Sequence, residues 1–187
     1  MQKLHLLWCR AGLLVYSCLL LIFIFYSLNT NTPKSTIATE TNYIVLKNGL
    51  ICTIDDGKPF TGKVHDVINT QIMEYDVVKG LKNGEFTIFS PNGKTLINGQ
   101  IKDNKNEGLW QYFYPDGQLE SNGYFKDDLT NDKWSWYYPD GKLKATGYYI
   151  DGKKNGKWTS YTEYGKVKSE EVFRNDVKVA GMQYKLS

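Results

Sequence analysis

The chain has 187 residues, with 23 lysines and arginines against 20 aspartates and glutamates. Because Lys3 and Arg10 fall in an apolar N-terminal segment, the remainder carries a formal charge of only +1, which argues against a nucleic-acid-binding protein. Two of the three cysteines lie in that same segment, so no disulfide framework can form farther along the chain, and Cys52 is expected to be a small buried residue.

Residues 11–28 form an apolar run of 18 residues without a charge. This length is close to the roughly 20 residues that cross a bilayer as a helix, and it exceeds the apolar core of a typical secretory signal. The run predicts an uncleaved signal-anchor over residues 1–28, with a cleaved signal peptide or a lipoprotein as alternatives. Lys3 and Arg10 ahead of it predict a cytoplasmic N-terminus with the rest of the chain outside, and cleavage would make the protein secreted.

Two segments separate this run from the regular part of the chain. Residues 29–42 are rich in Thr, Asn and Ser and predict a flexible linker. Residues 43–83 alternate loosely between apolar and polar and contain two hairpin signals, Asn48-Gly49 and Asp56-Gly57. Gly62 resembles a repeat start and Val77 falls in an apolar repeat column. We therefore interpret residues 43–83 as one or two degenerate repeats that cap an array.

From residue 84 to residue 181 the sequence repeats every 24 residues. An aromatic residue follows each start by two and by five positions, and a glycine follows it by nine. A fixed period of this length predicts a repeat array, and the short aromatic-rich runs predict strands. We expect an all-β fold, an elongated antiparallel array of four β-hairpins with a tail at 182–187. The repeat starts are Gly84, Gly108, Asp132 and Gly156.

The hairpin tips read Pro-Asn-Gly or Pro-Asp-Gly, at 91–93, 115–117 and 139–141. A three-residue loop with glycine in the left-handed position places Phe113 opposite Leu119. A two-residue Asp-Gly turn instead places Trp110 opposite Gly123, where the ring would cover the glycine. Proline ahead of the acidic residue favours the first register, and the second stays open.

The repeats resemble a known family. The pattern Gly-x-Trp-x-x-Tyr/Phe-x-Pro-Asp-Gly-x-Leu, followed by Gly-Tyr-Phe/Tyr, is similar to the MORN repeat variant of the bacterial YwqK-type family, as is Pro59-Phe60-Thr61-Gly62. The resemblance covers residues 48–181, with departures at Asp132, Glu171 and Glu163-Tyr164. It implies an elongated sheet of stacked hairpins. It also implies either a scaffold that binds protein or, more weakly, lipid, or an antitoxin that neutralises a toxin.

No catalytic constellation emerges from the remaining residues. His65 has no second histidine or cysteine cluster beside it in the repeat region, so neither a metal site nor a Cys/His pair can be assembled. Asp116 and Asp140 recur at hairpin tips, where turn chemistry accounts for them. The acidic loops at 103–107 and 127–132 fit calcium-loop spacing poorly. We predict a protein that is not an enzyme and that needs neither cofactor nor metal.

The aromatic columns are the remaining candidates for a site. They form either the core of a thin sheet, which we favour because stacked repeats must bury something, or an open face for a protein or, less strongly, a glycan. The functional hypothesis is a membrane-tethered envelope scaffold that uses this open face to bind protein; the alternative is a toxin-neutralising antitoxin or immunity protein. The candidate contact residues are Trp110, Tyr112, Tyr114, Trp134, Trp136, Tyr138 and Trp158.

Overall fold

A computed structural model describes residues 43–45 and 49–185. Two short strands form a small antiparallel sheet, and eleven more form one large sheet in which each strand pairs antiparallel with its neighbours in sequence. This confirms the predicted all-β antiparallel meander. The strands are β1 (Tyr43–Val45), β2 (Ile51–Thr53), β3 (Gly62–Ile68), β4 (Gln71–Val78), β5 (Leu81–Phe89), β6 (Thr95–Lys102), β7 (Lys105–Phe113), β8 (Leu119–Lys126), β9 (Leu129–Tyr137), β10 (Leu143–Ile150), β11 (Lys153–Tyr161), β12 (Val167–Arg174) and β13 (Val177–Gln183).

The Pro-Asp-Gly segments form the predicted three-residue loops. Between β7 and β8, the Tyr114 N–H donates to the Gln118 carbonyl at 2.8 Å, and Gly117 has a φ of 96°. The Asp116 carboxylate accepts a hydrogen bond from the Gln118 N–H at 2.9 Å. Proline fixes the first corner of the loop, the acidic residue closes it, and glycine tolerates the left-handed backbone that follows.

Both registers considered for the hairpins occur, because β8 contains a bulge. Next to the loop Phe113 lies opposite Leu119, whereas farther from it Trp110 lies opposite Gly123. Glu120 is the extra residue that shifts the pairing by one. The equivalent bulge residues in the other hairpins are Leu96, Lys144 and Lys168.

The hairpin of β3 and β4 is a shortened version of the same unit. Gly62 pairs with Val77 as Gly84 pairs with Ile101, so Val77 lies in the expected column. A two-residue turn joins these strands, and their pairing contains no bulge. Such a hairpin is two residues shorter than one with a three-residue loop and a bulge, which accounts for a spacing of 22 residues rather than 24 between Gly62 and Gly84.

Successive hairpins are joined by two-residue turns with left-handed backbone at both positions, as in the turn at Asp103-Asn104. The second residue of the turn also forms hydrogen bonds with the strand that follows the preceding turn. The Asn104 N–H donates to the Lys82 carbonyl at 2.9 Å, and its side-chain oxygen accepts from the Lys82 N–H at 2.7 Å. The same two bonds join Asp128 to Asn106 and Asp176 to Lys154.

The core lies on one face of the large sheet, the inner face, which carries Phe86, Trp110, Trp134 and Trp158. Glycines alternate with these rings across the strands, since Trp110 has Gly99 on one side and Gly123 on the other. The ring covers Gly99, where an added Cβ would lie 2.3 Å from Cδ2 of Trp110. The alternative in which the Trp110 ring covers Gly123 does not occur: the rings of Trp110, Trp134 and Trp158 cover Gly99, Gly123 and Gly147, the glycines of the preceding hairpins.

The start of the large sheet is covered by the segment around β2. Ile51 and Cys52 are buried there, as expected for Cys52. The Ile51 N–H donates to the Gly80 carbonyl at 2.8 Å, and the Gly80 N–H donates to the Phe60 carbonyl at 2.7 Å. Phe60 packs against Gly62, at the first strand of the sheet.

The predicted membrane segment at 11–28 and the linker at 29–42 lie outside the described residues. Within the described ranges, no helix is long and apolar enough to cross a membrane.

Candidate functional site

Three of the seven candidate aromatic residues form the core of the inner face. Trp110, Trp134 and Trp136 are only 2%, 6% and 8% exposed. The ring centroids of Trp134 and Trp136 are 6.0 Å apart, and Phe125 meets the Trp134 ring edge-on at 5.3 Å. Contacts of this kind add to the stabilisation that comes from burying the rings. These three residues are therefore core, and the hypothesis that they form an open contact face is wrong for them.

The other four candidates hold neighbouring hairpins together. Tyr112 and Trp158 are partly buried against the same core. The Tyr114 hydroxyl donates to the Tyr137 carbonyl at 2.7 Å, and the Tyr138 hydroxyl donates to the Tyr161 carbonyl at 2.8 Å. Burial raises the pKa of Tyr114 above its usual value. A partner-binding role for these four residues stays a prediction.

Lysine side chains cover both ends of the row of rings. The Lys82 ammonium lies 4.4 Å from the centre of the Tyr75 ring, and burial lowers the pKa of Lys82. At the other end, the Lys154 ammonium lies 4.4 Å from the Trp158 ring and 5.1 Å from the Phe173 ring. Since an ammonium is attracted to the face of an aromatic ring and the alkyl stem of lysine covers apolar surface, these contacts close the inner face further.

The opposite, outer face has a polar row along its middle. The members of this row are cross-strand neighbours, and Thr87, Ser135 and Thr159 among them are buried. The Asn98 amide donates to the Thr87 hydroxyl at 3.2 Å, so part of this row is satisfied within the sheet. The row consists of Thr87, Asn98, Gln111, Asn122, Ser135, Thr146, Thr159 and Glu170.

Beside the polar row, toward the turns that join the hairpins, the outer face exposes a set of large apolar residues. Tyr124 and Tyr148 are 45% and 46% exposed. They lie on β8 and β10, two strands apart, so roughly 10 Å separates their backbones. Leu109 lies directly opposite Tyr124. We name this surface the outer patch, and its members are Leu109, Tyr124, Leu129, Tyr148, Ile150 and Val172.

Sequence reasoning missed the outer patch, although the repeat contains its signal. In the triplets Gly-Tyr-Phe (123–125) and Gly-Tyr-Tyr (147–149), the residues alternate between faces as in any strand. Because Phe125 and Tyr149 face the core, the middle tyrosine of each triplet must face outward. The pairing of Leu109 with Tyr124 and of Lys133 with Tyr148 puts both tyrosines in one row.

The outer patch has a single lysine at its centre. Lys133 lies on β9, between the strands of the two tyrosines and directly opposite Tyr148. Its ammonium makes no ion pair with any described residue. Lys157 holds the same position one repeat later, and it pairs with Glu170. The hydrogen bond within this pair raises the pKa of Lys157 and lowers the pKa of Glu170.

The titratable residues elsewhere form ordinary surface contacts. Nδ1 of His65 lies 3.1 Å from a carboxylate oxygen of Glu74, on the exposed part of β3 and β4. In the part of the chain that the structure describes, no three His, Cys, Asp or Glu side chains are grouped so as to hold a metal ion.

Three of the hairpins are similar to a known type of repeat. Residues 106–127, 133–151 and 154–175 match the family model described as MORN repeat variant. Each matched stretch spans one hairpin: β7 with β8, β9 with β10, and β11 with β12. The match supports the MORN repeat variant family for these repeats. No curated protein matches the chain.

Proposed function

We propose that this chain, built from repeats of the MORN variant type, is a non-catalytic binding module tethered to a bacterial membrane, and that its outer patch docks a protein partner. The family match supports a repeat protein that works by binding. The observation that carries the proposal is the exposure of six large apolar side chains on one face of neighbouring strands. Large apolar side chains exposed together on one face mark interaction sites in soluble domains.

The composition of the outer patch favours a protein over other ligands. Tyrosine combines a large apolar ring with a hydroxyl, and it is enriched at protein interfaces. Branched aliphatic side chains, such as those of Leu129 and Ile150, gain by excluding water against another apolar surface and offer little to a sugar or a phosphate. A glycan or a lipid headgroup is therefore the weaker proposal, and the near-neutral charge outside the N-terminal segment disfavours nucleic acid.

The tether is proposed from the sequence of residues 11–28, whose length and lack of charge suit a membrane span. The topology that follows places the repeats on the extracytoplasmic side. In this arrangement the outer patch would meet other envelope proteins.

Photo-crosslinking from single positions tests both the surface and the tether. A photoreactive phenylalanine analogue replaces Tyr148 in the full chain in its native cells, and the same analogue replaces Tyr164, an exposed tip residue far from the outer patch, as the control. We expect a discrete protein adduct from position 148 that is absent from position 164 and is recovered with membranes. Equal adducts from both positions would contradict docking on the outer patch. Recovery from the cytosol alone would contradict the tether.

A second candidate function is neutralisation of a toxin, as the resemblance to the YwqK-type family implies. It is favoured by the Pro59-Phe60-Thr61-Gly62 segment, which resembles the early segment of that family. The test is co-expression with the neighbouring genes. Rescue of growth from one of their products, lost on Tyr148→Ser, would support this candidate over a general scaffold, and toxicity unchanged by co-expression would remove it.

A further inference from the structure

At the centre of the outer patch the Lys133 ammonium makes no ion pair with a described residue, and this identifies the kind of partner. We propose that the partner presents an acidic apolar segment, in which a carboxylate lies against Lys133 and apolar side chains pack on Tyr124 and Tyr148. This inference rests on the proposed function, because it names the chemistry of the partner at the same surface.

Docking of a partner would change the surroundings of the Lys133 ammonium. Its backbone N–H donates to the Asp132 carboxylate at 2.7 Å, but its ammonium makes no ion pair with a described residue. An apolar partner that covers Tyr148 would also take water away from Lys133, which lies opposite it. Burying an unpaired charge is costly, so an apolar partner without an acid would bind poorly. A carboxylate aligned with the ammonium restores the pairing and fixes the register of docking.

The next repeat shows how the same position is satisfied within the chain. Lys157 is the counterpart of Lys133 after 24 residues, and its ion pair with Glu170 supplies the acid. The counterpart of Glu170 one repeat earlier is Thr146, whose hydroxyl donates to the Trp134 carbonyl at 3.1 Å. The two repeats therefore differ by one internal carboxylate. Lys133, in the repeat that lacks it, lies on the strand between those of the two exposed tyrosines.

This difference supplies variants that change the charge at the centre of the outer patch; Thr146→Glu also removes the hydrogen bond from the Thr146 hydroxyl to the Trp134 carbonyl. Lys133→Glu reverses the central charge of the outer patch. Thr146→Glu places an acid within the chain where Glu170 stands one repeat later, so that Lys133 is paired before a partner arrives. Lys168→Glu is the matched control, because it reverses an exposed lysine at a bulge beyond the outer patch. Circular dichroism and thermal melting check that each variant keeps the wild-type fold.

The test is a selection of random short peptides displayed on phage against the immobilised full-length protein in detergent. We expect the enriched peptides to carry Asp or Glu flanked by apolar residues. Synthetic copies should bind Lys133→Glu and Thr146→Glu at least about tenfold more weakly than wild type, and they should bind Lys168→Glu equally well.

Two contrary outcomes separate this inference from the proposed function. Enriched peptides with no excess of acid, whose binding is still lost on Tyr148→Ser, would overturn the acidic segment and leave a protein-binding outer patch in place. Enriched peptides that bind regardless of both Lys133→Glu and Tyr148→Ser would overturn the outer patch itself, and the inference with it.

Discussion

The indole ring of Trp134 lies against the backbone of Gly123, so closely that an added Cβ on the glycine would sit 2.1 Å from Cδ2 of the ring. The indole N–H donates to the Tyr124 carbonyl, the next in the chain, at 3.1 Å. The same unit recurs with Trp110 on Gly99 and with Trp158 on Gly147. These glycines are required for packing between hairpins, because nothing larger leaves room for the ring.

Gly123→Ala should therefore destabilise the protein, against the usual trend. Alanine in place of a strand glycine with ordinary backbone angles normally stabilises, because it restricts the unfolded chain. Here the methyl group would force the Trp134 ring away and cost about 1–3 kcal/mol. Urea denaturation followed by tryptophan fluorescence measures the change. Gly181→Ala is the control, since its methyl group meets the flexible end of Lys178. A gain in stability from Gly123→Ala would contradict the close packing.

Gly152→Asn should stabilise the protein by about 0.5–1 kcal/mol, the usual net contribution of one hydrogen bond. Gly152 donates its N–H to the Thr130 carbonyl at 2.8 Å but lacks the side-chain acceptor that Asn104, Asp128 and Asp176 provide in the equivalent turns. Asparagine tolerates the left-handed backbone there, where φ is 79°. Thermal melting should show a higher Tm for Gly152→Asn than for Gly152→Ala, which has the same backbone strain without the acceptor. Equal Tm values for the two variants would mean that the side-chain hydrogen bond contributes nothing to stability.

The two faces should respond differently to loss of an aromatic ring. Trp134→Ala removes a buried ring and should cost about 3–5 kcal/mol or prevent folding. Tyr124→Ser removes a half-exposed ring and should change the free energy of unfolding by less than about 0.5 kcal/mol. Both changes are measurable by urea denaturation. A large loss from Tyr124→Ser would show that the outer patch is part of the folding core and would weaken its assignment as a docking surface.

The period of the sequence predicts the architecture because each position within the repeat has one structural role. Gly117 and Gly141 close the tip loops with a left-handed backbone, and the residues at 110, 134 and 158 supply the rings of the core. The hairpin loop and the strand order could therefore be predicted. The register next to the loop could also be predicted, but its shift farther along the strands could not, because the bulge position is held by Leu96, Glu120, Lys144 or Lys168, which share no side-chain property that would mark it.

Trp110, Trp134 and Trp136 lie in the core, as the favoured interpretation of the aromatic columns predicts, and not on an open face. A row of tryptophans looks the same in a sequence whether it is covered or open. Whether the ring is buried depends on a glycine on the neighbouring strand. Because glycine has no side chain, the ring of Trp110 or Trp134 can pack flat against the backbone there. The exposed tyrosines at 124 and 148 follow from strand alternation once the register is known.

High pH should destabilise the protein through Tyr149. Burial, followed by the charge of Asp176, raises the pKa of Tyr149 from 10.0 to about 12. Between these values the unfolded chain loses the tyrosine proton while the folded chain keeps it, so the free energy of unfolding falls as pH rises. Denaturant titrations from pH 9 to 12 should show a shallower fall for Tyr149→Phe than for wild type. Tyr148→Phe, at the exposed neighbour, should follow wild type. Parallel curves for Tyr149→Phe and wild type would contradict the buried phenol.

The packing of a tryptophan ring on a glycine can be tested by adding one more such contact at the C-terminal end of the array. In the last strand pair Glu171 stands where the other repeats have glycine, and Gly181 lies opposite it on β13. The Glu171 carboxylate receives a hydrogen bond from the Lys178 ammonium at 2.5 Å, so a charged side chain lies opposite Trp158 where the other repeats have glycine. Gly181→Trp alone should destabilise, because its ring meets the Glu171 side chain.

Combined with Glu171→Gly, the new ring at 181 gains a bare backbone to lie on and Trp158 as a neighbour. A double-mutant cycle in urea should therefore give a favourable coupling of about 1 kcal/mol or more between the two substitutions. Gly181→Trp with Glu171→Ala is the matched control: its methyl group keeps the position small but blocks the ring, and the coupling should vanish. Equal coupling for glycine and alanine at position 171 would mean that a small side chain is sufficient, and that close contact between ring and backbone does not propagate the array.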